Sequence, residues 1–408
     1  MPPFRPEEKL AGRIGAFTES AILRMSRKAR QMRAAGHDVI MLTLGEPDFD
    51  TPAHIRRAAA EAMEAGHTHY APIPGLPELR AAIARKLQRE NGLSHEADEI
   101  VVTNGAKQAI ANAILSLVDP GDEVLLPAPY WVAYEGIIRL AGGVPVPLPS
   151  SFEAGYRPSA RAIAAALGPR SKLIILNSPG NPSGVVLSAT ELMAIANVVR
   201  AHPSVFVLSD EIYEYIVFDG IKAASIGAIA GMKPRTITVN GFSKGFAMTG
   251  WRLGYAAAPL PVAQAMAKLQ GAITAGANAF VQRAAIVALD GPREAVEQMR
   301  QTYERRRALV MAALARMPLV RAHPPQGAFY VLPDISAVLA RARKRGGPAD
   351  DVAFCDWLLE TAHVALTPGS AFGMPGTVRI SFATSEERLE AGLERLARAL
   401  SRLSGEAA

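Results

Sequence analysis

The stretch KLIILNSPGNPSGVVLSATELMAIANVVRAHPSVFVLSDEIY, residues 172–213, alternates two kinds of segment. KLIILN (172–177) and SVFVLSD (204–210) are apolar runs rich in Ile, Leu and Val and too short for helices. Between them ATELMAIANVVRA (189–201) spaces its apolar residues as a helix does. Strand, helix, strand in this order reads as a crossover unit with parallel strands. The rhythm continues outward in EVLLP (123–127), GVPVPL (143–148) and TITVN (236–240). Residues 100–260 therefore predict an α/β fold, a mostly parallel sheet with helices on both faces.

Three of these runs end in polar groups. KLIILN ends at Asn177 and opens into NSPGNPSG, SVFVLSD ends at Asp210 and continues as EIY, and TITVN runs into GFSK. Ligands of open parallel sheets bind outside the carboxyl ends of the strands. A polar residue at one such end is commonly only a cap or turn former. An amide, a carboxylate and an amine at three ends are more informative. VVTNGAKQAIANAIL (101–115) adds a strand, a glycine turn and a helix, whose first N–H groups near Gly105, Ala106 and Lys107 suit an anion. Neither the nucleotide-binding P-loop pattern nor the dinucleotide G-x-G-x-x-G is present.

Gly241–Gly245 matches G-x-S-x-G, the nucleophile elbow of serine hydrolases. Asp290 or Asp334 followed by His363 would supply an acid and a base in the order such enzymes use. That reading leaves Lys244, Asp210 and SDEIY without a role. Lys244 precedes small and apolar residues from Gly245 to Gly250. A partly desolvated lysine has a lowered pKa and can form a Schiff base. Arg252 would be a second cation beside the same pocket.

The flanking segments read differently. Residues 20–36 and 53–65 are expected helices, and VIMLTLGEPDFDTP between them a short strand and a turn-rich loop. Residues 293–317 predict a long amphipathic helix, followed by GAFYVLPDI, a helix near 351–362, the strand VRISFAT and a final helix. That last helix carries Leu389, Leu393, Leu396, Leu400 and Leu403 at core spacing, with Thr384 and Glu387 as a capping box. The expected division is a large domain, 46–290, and a small α+β domain made of 1–45 with 291–408.

Composition narrows the function classes. Of 408 residues, 49% are hydrophobic and 20% charged, which excludes a disordered chain. The formal charge is +6, densest at Arg305–Arg307 and Arg341–Arg345, stretches expected to be solvated. No aromatic-interleaved basic motif accompanies them, so no nucleic-acid partner is expected, while anionic small substrates suit the bias. Cys355 is the single cysteine, which fits a reducing cytoplasm. Neither a signal peptide nor a membrane-spanning run is read. His67 and His69 lack further ligands, and no metal is expected.

NGAKQA, PYWVAY, NSPGNPSG, SDEIY, SKGFAMTGWRLGY and VRISFATS together, in this order, resemble the class I pyridoxal-phosphate aminotransferases, and most the bacterial aspartate aminotransferases. The resemblance runs from about residue 14 to the C-terminus. It implies a fold type I architecture with a seven-stranded sheet, pyridoxal 5'-phosphate as cofactor, and a homodimer with shared active sites. Lys244 would hold the cofactor as a Schiff base, and Asp210 would pair with its pyridinium nitrogen. Tyr213 and Asn181 would bond its phenolic oxygen, and Trp131 would stack on its ring. Ser243, Arg252 and the Gly105, Ala106 and Lys107 turn would bind the phosphate, joined by Tyr70 from the neighbouring subunit. Arg379 would clamp the substrate α-carboxylate beside Gly45, Trp131 and Asn181, and Lys107 would meet a distal carboxylate. A helix-turn-helix module ahead of such a domain, as in aminotransferase-like regulators, is not expected.

The implied reaction moves the amino group of an L-amino acid, aspartate first, to a 2-oxo acid such as 2-oxoglutarate by a ping-pong mechanism. The pyridine ring serves as electron sink, and Lys244 carries the proton from Cα. GAITAGANAF (271–280) departs from the Ser/Thr/Asn-rich stretch usual in the family. It keeps open an aromatic or other neutral substrate; a decarboxylase, lyase or racemase reaction stays open as well, because the cofactor alone does not fix which bond breaks. Phe17, Thr18 and Phe329 would then line the side-chain pocket.

Overall fold

The computed structural model describes residue 5, residues 10–16 and residues 21–404. Its strands are β1 (Ile40–Met41), β2 (Ile100–Thr103), β3 (Glu123–Pro127), β4 (Val144–Leu148), β5 (Ser171–Asn177), β6 (Phe206–Asp210), β7 (Thr236–Gly241), β8 (Gly254–Ala257), β9 (Tyr330–Val331), β10 (Val364–Ala365), β11 (Thr367–Pro368) and β12 (Val378–Ser381). Seven of them form one sheet in the order β2-β8-β7-β6-β5-β3-β4. The five strands read from the sequence, β3 to β7, pair in parallel. Only β8 runs antiparallel to both its neighbours.

The sheet is covered on both faces, and alternation along single strands shows it. Val101 packs in one apolar cluster with Ala109, Ile110 and Ala113, while Ile100 and Val102 pack in another with Leu79, Ile83 and Ala285. In β5, Leu173 and Ile175 join the first cluster, and Ile174 and Leu176 face Leu192, Ile195 and Val199 on the other side. A strand buried on both faces must be apolar throughout, which is why KLIILN is legible as a strand. The crossover helix Ala189–Arg200 starts at a capping box in which Ser188 and Glu191 exchange bonds with each other's backbone.

The strand β8 was not legible in GYAA, whose small residues carry little β preference. Its position follows from a close approach instead. A Cβ on Gly254 would lie 2.4 Å from the backbone nitrogen of Ala106, so glycine lets β8 run against the glycine turn.

A separate core joins the two ends of the chain. Met25, Val39, Ile40 and Leu42 pack with Tyr303, Val310, Phe329, Leu358, Ile380, Leu389, Leu393, Leu396 and Leu400. There β1 pairs in parallel with β10, and β12 runs antiparallel between β11 and β9. The final helix spans Glu386–Ser404, and Ser385, rather than Thr384 with Glu387, meets its first turn: Ser385 Oγ accepts from the Arg388 amide at 3.4 Å. The long helix runs Glu294–Leu314. Among the described residues no helix is long and apolar enough to cross a membrane.

Two arginines of the expected solvated run are structural. Arg307 donates through both terminal nitrogens to Asp219. Arg306 is buried and donates two 2.8 Å bonds to Asp48, with the rings of Phe49 and Tyr303 under its guanidinium. This pair ties the long helix to the loop that follows Gly45. Asp48→Ala would leave Arg306 buried without its counter-charge and is expected to lower stability by about 2–3 kcal/mol. Urea unfolding of the two proteins at one pH measures it, and an unchanged midpoint would contradict it.

Candidate active site

The loops that follow β5, β6 and β7 meet the glycine turn after β2 around a cavity of about 310 Å³. Lys244 follows β7, and its Nζ donates to the Gly45 carbonyl. Burial is the main reason its ammonium titrates at about 8 rather than 10.5; Arg252 and Arg379 add to the fall, and Glu46 and Asp210 oppose it. Gly245 is required behind it, because a Cβ there would come 2.5 Å from the Tyr215 ring.

Asp210 closes β6 and is 4% exposed. Burial raises its carboxyl to about 6, against the pull of its hydrogen bonds and of Lys244. Tyr134 Oη donates to Oδ2 at 2.6 Å, and the Ile212 amide approaches Oδ1 at 3.3 Å. Asn177, the polar end of β5, acts between loops: its amide donates to the Asp210 carbonyl at 2.9 Å, and its oxygen accepts from the Asn181 backbone at 2.7 Å.

The glycine turn is a cradle. The helix Ala106–Leu117 begins there, and its opening N–H groups have no intrahelical acceptor. Gly105 has φ 83°, and a Cβ on it would strike Arg252 Nη2 at 2.5 Å. The guanidinium therefore lies across the helix N-terminus only because position 105 is glycine. Ser243 lines the same cavity.

Arg379 stands on β12 and is 3% exposed. It donates to Asn181 Oδ1 at 3.0 Å and to the Thr43 carbonyl at 2.7 Å, with the Tyr330 ring 4.4 Å from its guanidinium carbon. Its Nε is buried with no protein acceptor. Among the described residues no carboxylate pairs with it, so a buried cation lines a cavity without its anion. Lys107, expected in the phosphate turn and at a distal substrate carboxylate, faces the cavity with its ammonium 4.9 Å from the Trp131 ring centre. Burial first, then Arg252, lowers its pKa.

Other expectations separate. Tyr213 lines the cavity, its oxygen 3.0 Å from that of Tyr330. Phe329 does not line it; it packs against Tyr213 and Tyr303 in the core. Phe17 and Thr18 lie outside the described residues. Tyr70 is 94% exposed and away from the cavity. The hydrolase arrangement is not assembled: His363 contacts His37, Asp290 binds Arg85 and Asp334 binds Arg321. No histidine lines the cavity among the described residues.

Sequence reasoning missed Tyr134, Tyr330, Thr43 and Thr249, all at the cavity. Tyr134 was inside the quoted PYWVAY, three residues after Trp131. GAITAGANAF lies against the outside of the glycine turn: Thr274 Oγ1 accepts from Gln108 at 2.9 Å, and the Gly276 carbonyl accepts from Asn104 at 3.1 Å. None of its residues lines the cavity of this chain.

An amine, a buried carboxylate, a helix N-terminus beside an arginine, and an indole around one cavity fit a flat cationic ring that carries an aldehyde and a phosphate. The family model for aminotransferases of class I and II matches residues 37–396.

The chain belongs to the class I and II aminotransferases.

This aminotransferase is 43% identical over 396 residues to the aspartate aminotransferase of Rhizobium meliloti (strain 1021), covering 97% of each chain. Its fold matches the crystal structure of the Rhizobium meliloti aspartate aminotransferase with a TM-score of 0.92, at 43% identity over 96% of this chain and 99% of that one. It matches the Thermus thermophilus aspartate aminotransferase with maleate at a TM-score of 0.90, 43% identity, 95% and 99% coverage. The aminotransferase is thus a fold type I enzyme that uses pyridoxal 5'-phosphate to transfer amino groups between amino acids and 2-oxo acids.

Proposed function

We propose that this enzyme transfers the amino group of L-aspartate to 2-oxoglutarate. One observation carries the choice of dicarboxylates: Arg379 and Lys107 line one cavity with Lys244, and neither pairs with a carboxylate among the described residues. A substrate with two carboxylates supplies both partners. The Rhizobium relative is named for aspartate, and the Thermus structure holds maleate, a four-carbon dicarboxylate.

In this reading the bound pyridoxal phosphate supplies a protonated ring that stabilises negative charge at the substrate Cα. Lys244 holds the cofactor covalently and, once released, moves a proton at Cα. Asp210 keeps the ring nitrogen protonated, and Trp131 stacks on the ring. Tyr213 and Asn181 donate to the phenolic oxygen. Ser243, Arg252 and the amides from Gly105 to Lys107 hold the phosphate. Arg379, buried and lining the cavity, takes the α-carboxylate in a forked pair beside Gly45. Tyr70 reaches the phosphate of a second copy in a cytoplasmic homodimer, a reading supported by its exposure and by exposed Ile73 and Ile273.

The test is a visible spectrum. L-aspartate alone is expected to bleach the cofactor band, and 2-oxoglutarate to restore it. A charge-assisted bond contributes about 1.5–3 kcal/mol. Lys107→Ala should therefore raise the apparent KM for aspartate about tenfold or more and that for alanine less than about twofold. Equal effects on both donors would remove Lys107 from substrate recognition. A band indifferent to aspartate but bleached by a neutral amino acid would overturn the substrate assignment.

A further inference from the structure

Tyr213 and Tyr330 share one hydrogen bond, 3.0 Å between buried oxygens. A phenol has a single proton, so the direction of this bond matters. If Tyr213 donates, its proton is consumed and only a lone pair faces the cavity. If Tyr330 donates, Tyr213 keeps its own O–H free for a ligand. We propose that Tyr330 is the donor, and that it acts as a positioning residue which holds the Tyr213 proton on the cofactor's phenolic oxygen. The inference rests on the reading above that places that oxygen at Tyr213.

The surroundings of the two rings set the direction. The antiparallel pairing of β9 with β12 puts Tyr330 opposite Ser381, two residues from Arg379. The Arg379 guanidinium carbon is 4.4 Å from the Tyr330 ring centre. A cation at that distance makes the phenol more acidic and a better donor. It is the main charge acting on Tyr330; it acts on Tyr213 as well, but there the negative charge of Asp210 opposes loss of the proton. Burial raises both phenols, so both are neutral. Gly45 makes room for the bond, because a Cβ there would come 3.3 Å from Tyr330 Oη.

Tyr330→Phe removes the hydroxyl and keeps the ring beneath Arg379. A donor to the phenolic oxygen stabilises its anionic form, so a weaker donor raises the pH at which the bound cofactor's visible band changes. The expected rise is about 0.5–1 pH unit, with the KM for aspartate changed less than about twofold because Arg379 keeps its platform. In a Tyr213→Phe background the same substitution should move the midpoint by less than about 0.2 unit, since the group it acts through is gone. Retention of the shift in that background, or its absence in the parent, would overturn the proposal. A rise in KM without a spectral shift would overturn it too, by making Tyr330 a support for Arg379 alone. A parent protein with no cofactor band would remove the underlying reading, and the proposal with it.

Discussion

Lys244→Ala is expected to lower kcat by about ten-thousand-fold or more, the upper range for a general acid–base group that is also the covalent attachment point. In the proposed reading both functions reside on one atom, Lys244 Nζ. Lys107 also lines the cavity, but its ammonium lies over Trp131 rather than at the end of β7. The variant should still bind pyridoxal phosphate through the cradle, Asp210 and Trp131, so that the loss appears in single turnover as well as in steady state. An added primary amine should restore part of the rate. The pH dependence carries the same signature. With its pKa near 8, roughly a quarter of Lys244 is uncharged at pH 7.5, against about one in a thousand for an ordinary lysine. The neutral amine is the nucleophile, so capture of pyridoxal phosphate by apoprotein should speed up as pH rises and level off above about 8. Activity within tenfold of the parent in Lys244→Ala would end the assignment.

Asp210→Asn is expected to separate activity from stability. The amide keeps the shape and can still accept from Tyr134, but it has no charge for the role proposed for Asp210, holding a proton on the cofactor ring. Losing one member of a buried charged pair costs about 3–5 kcal/mol, so kcat/KM should fall on the order of 10²–10⁴-fold. The apoprotein should respond in the opposite sense. Burial raises the Asp210 pKa to about 6, above the ordinary 3.8, so the folded state holds this proton more tightly than the unfolded state. The carboxyl therefore costs nothing below about pH 4. Its penalty grows as pH rises through 6 and is complete at pH 7. Asparagine removes that penalty, and thermal or urea unfolding of apoprotein at pH 7 should show a gain of about 1–3 kcal/mol that disappears near pH 4. A residue kept for packing would lose stability together with activity; simultaneous loss would contradict this account.

The parallel strands, the crossover helices and the polar strand ends were legible because each is written within about ten residues. A strand buried on both faces must be apolar throughout, as in KLIILN, and its polar terminus must fall where the sheet ends. SDEIY placed Asp210 at a strand end, and SKGFAMTG set Lys244 among small residues. The terminal leucines at helical spacing marked the last helix in the same way.

What sequence alone determined was therefore the type of each long element, the alternating strand–helix rhythm of the mostly parallel sheet and, through motifs, the aminotransferase family. The tertiary structure decided what those groups meet. Arg379 looks the same in VRIS whether it is buried or at an edge; its burial comes from Thr43, Asn181 and Tyr330, brought from three distant segments. Arg306 reads as one cation in a basic run, yet Asp48, 258 positions away, makes it structural. GYAA has no strand signal, and Tyr134 and Tyr330 look like ordinary aromatic core residues. The physical reason is range. Propensity and periodicity act between residues a turn or a pleat apart, whereas burial, counter-charge and hydrogen-bond direction depend on neighbours that only the closed fold supplies.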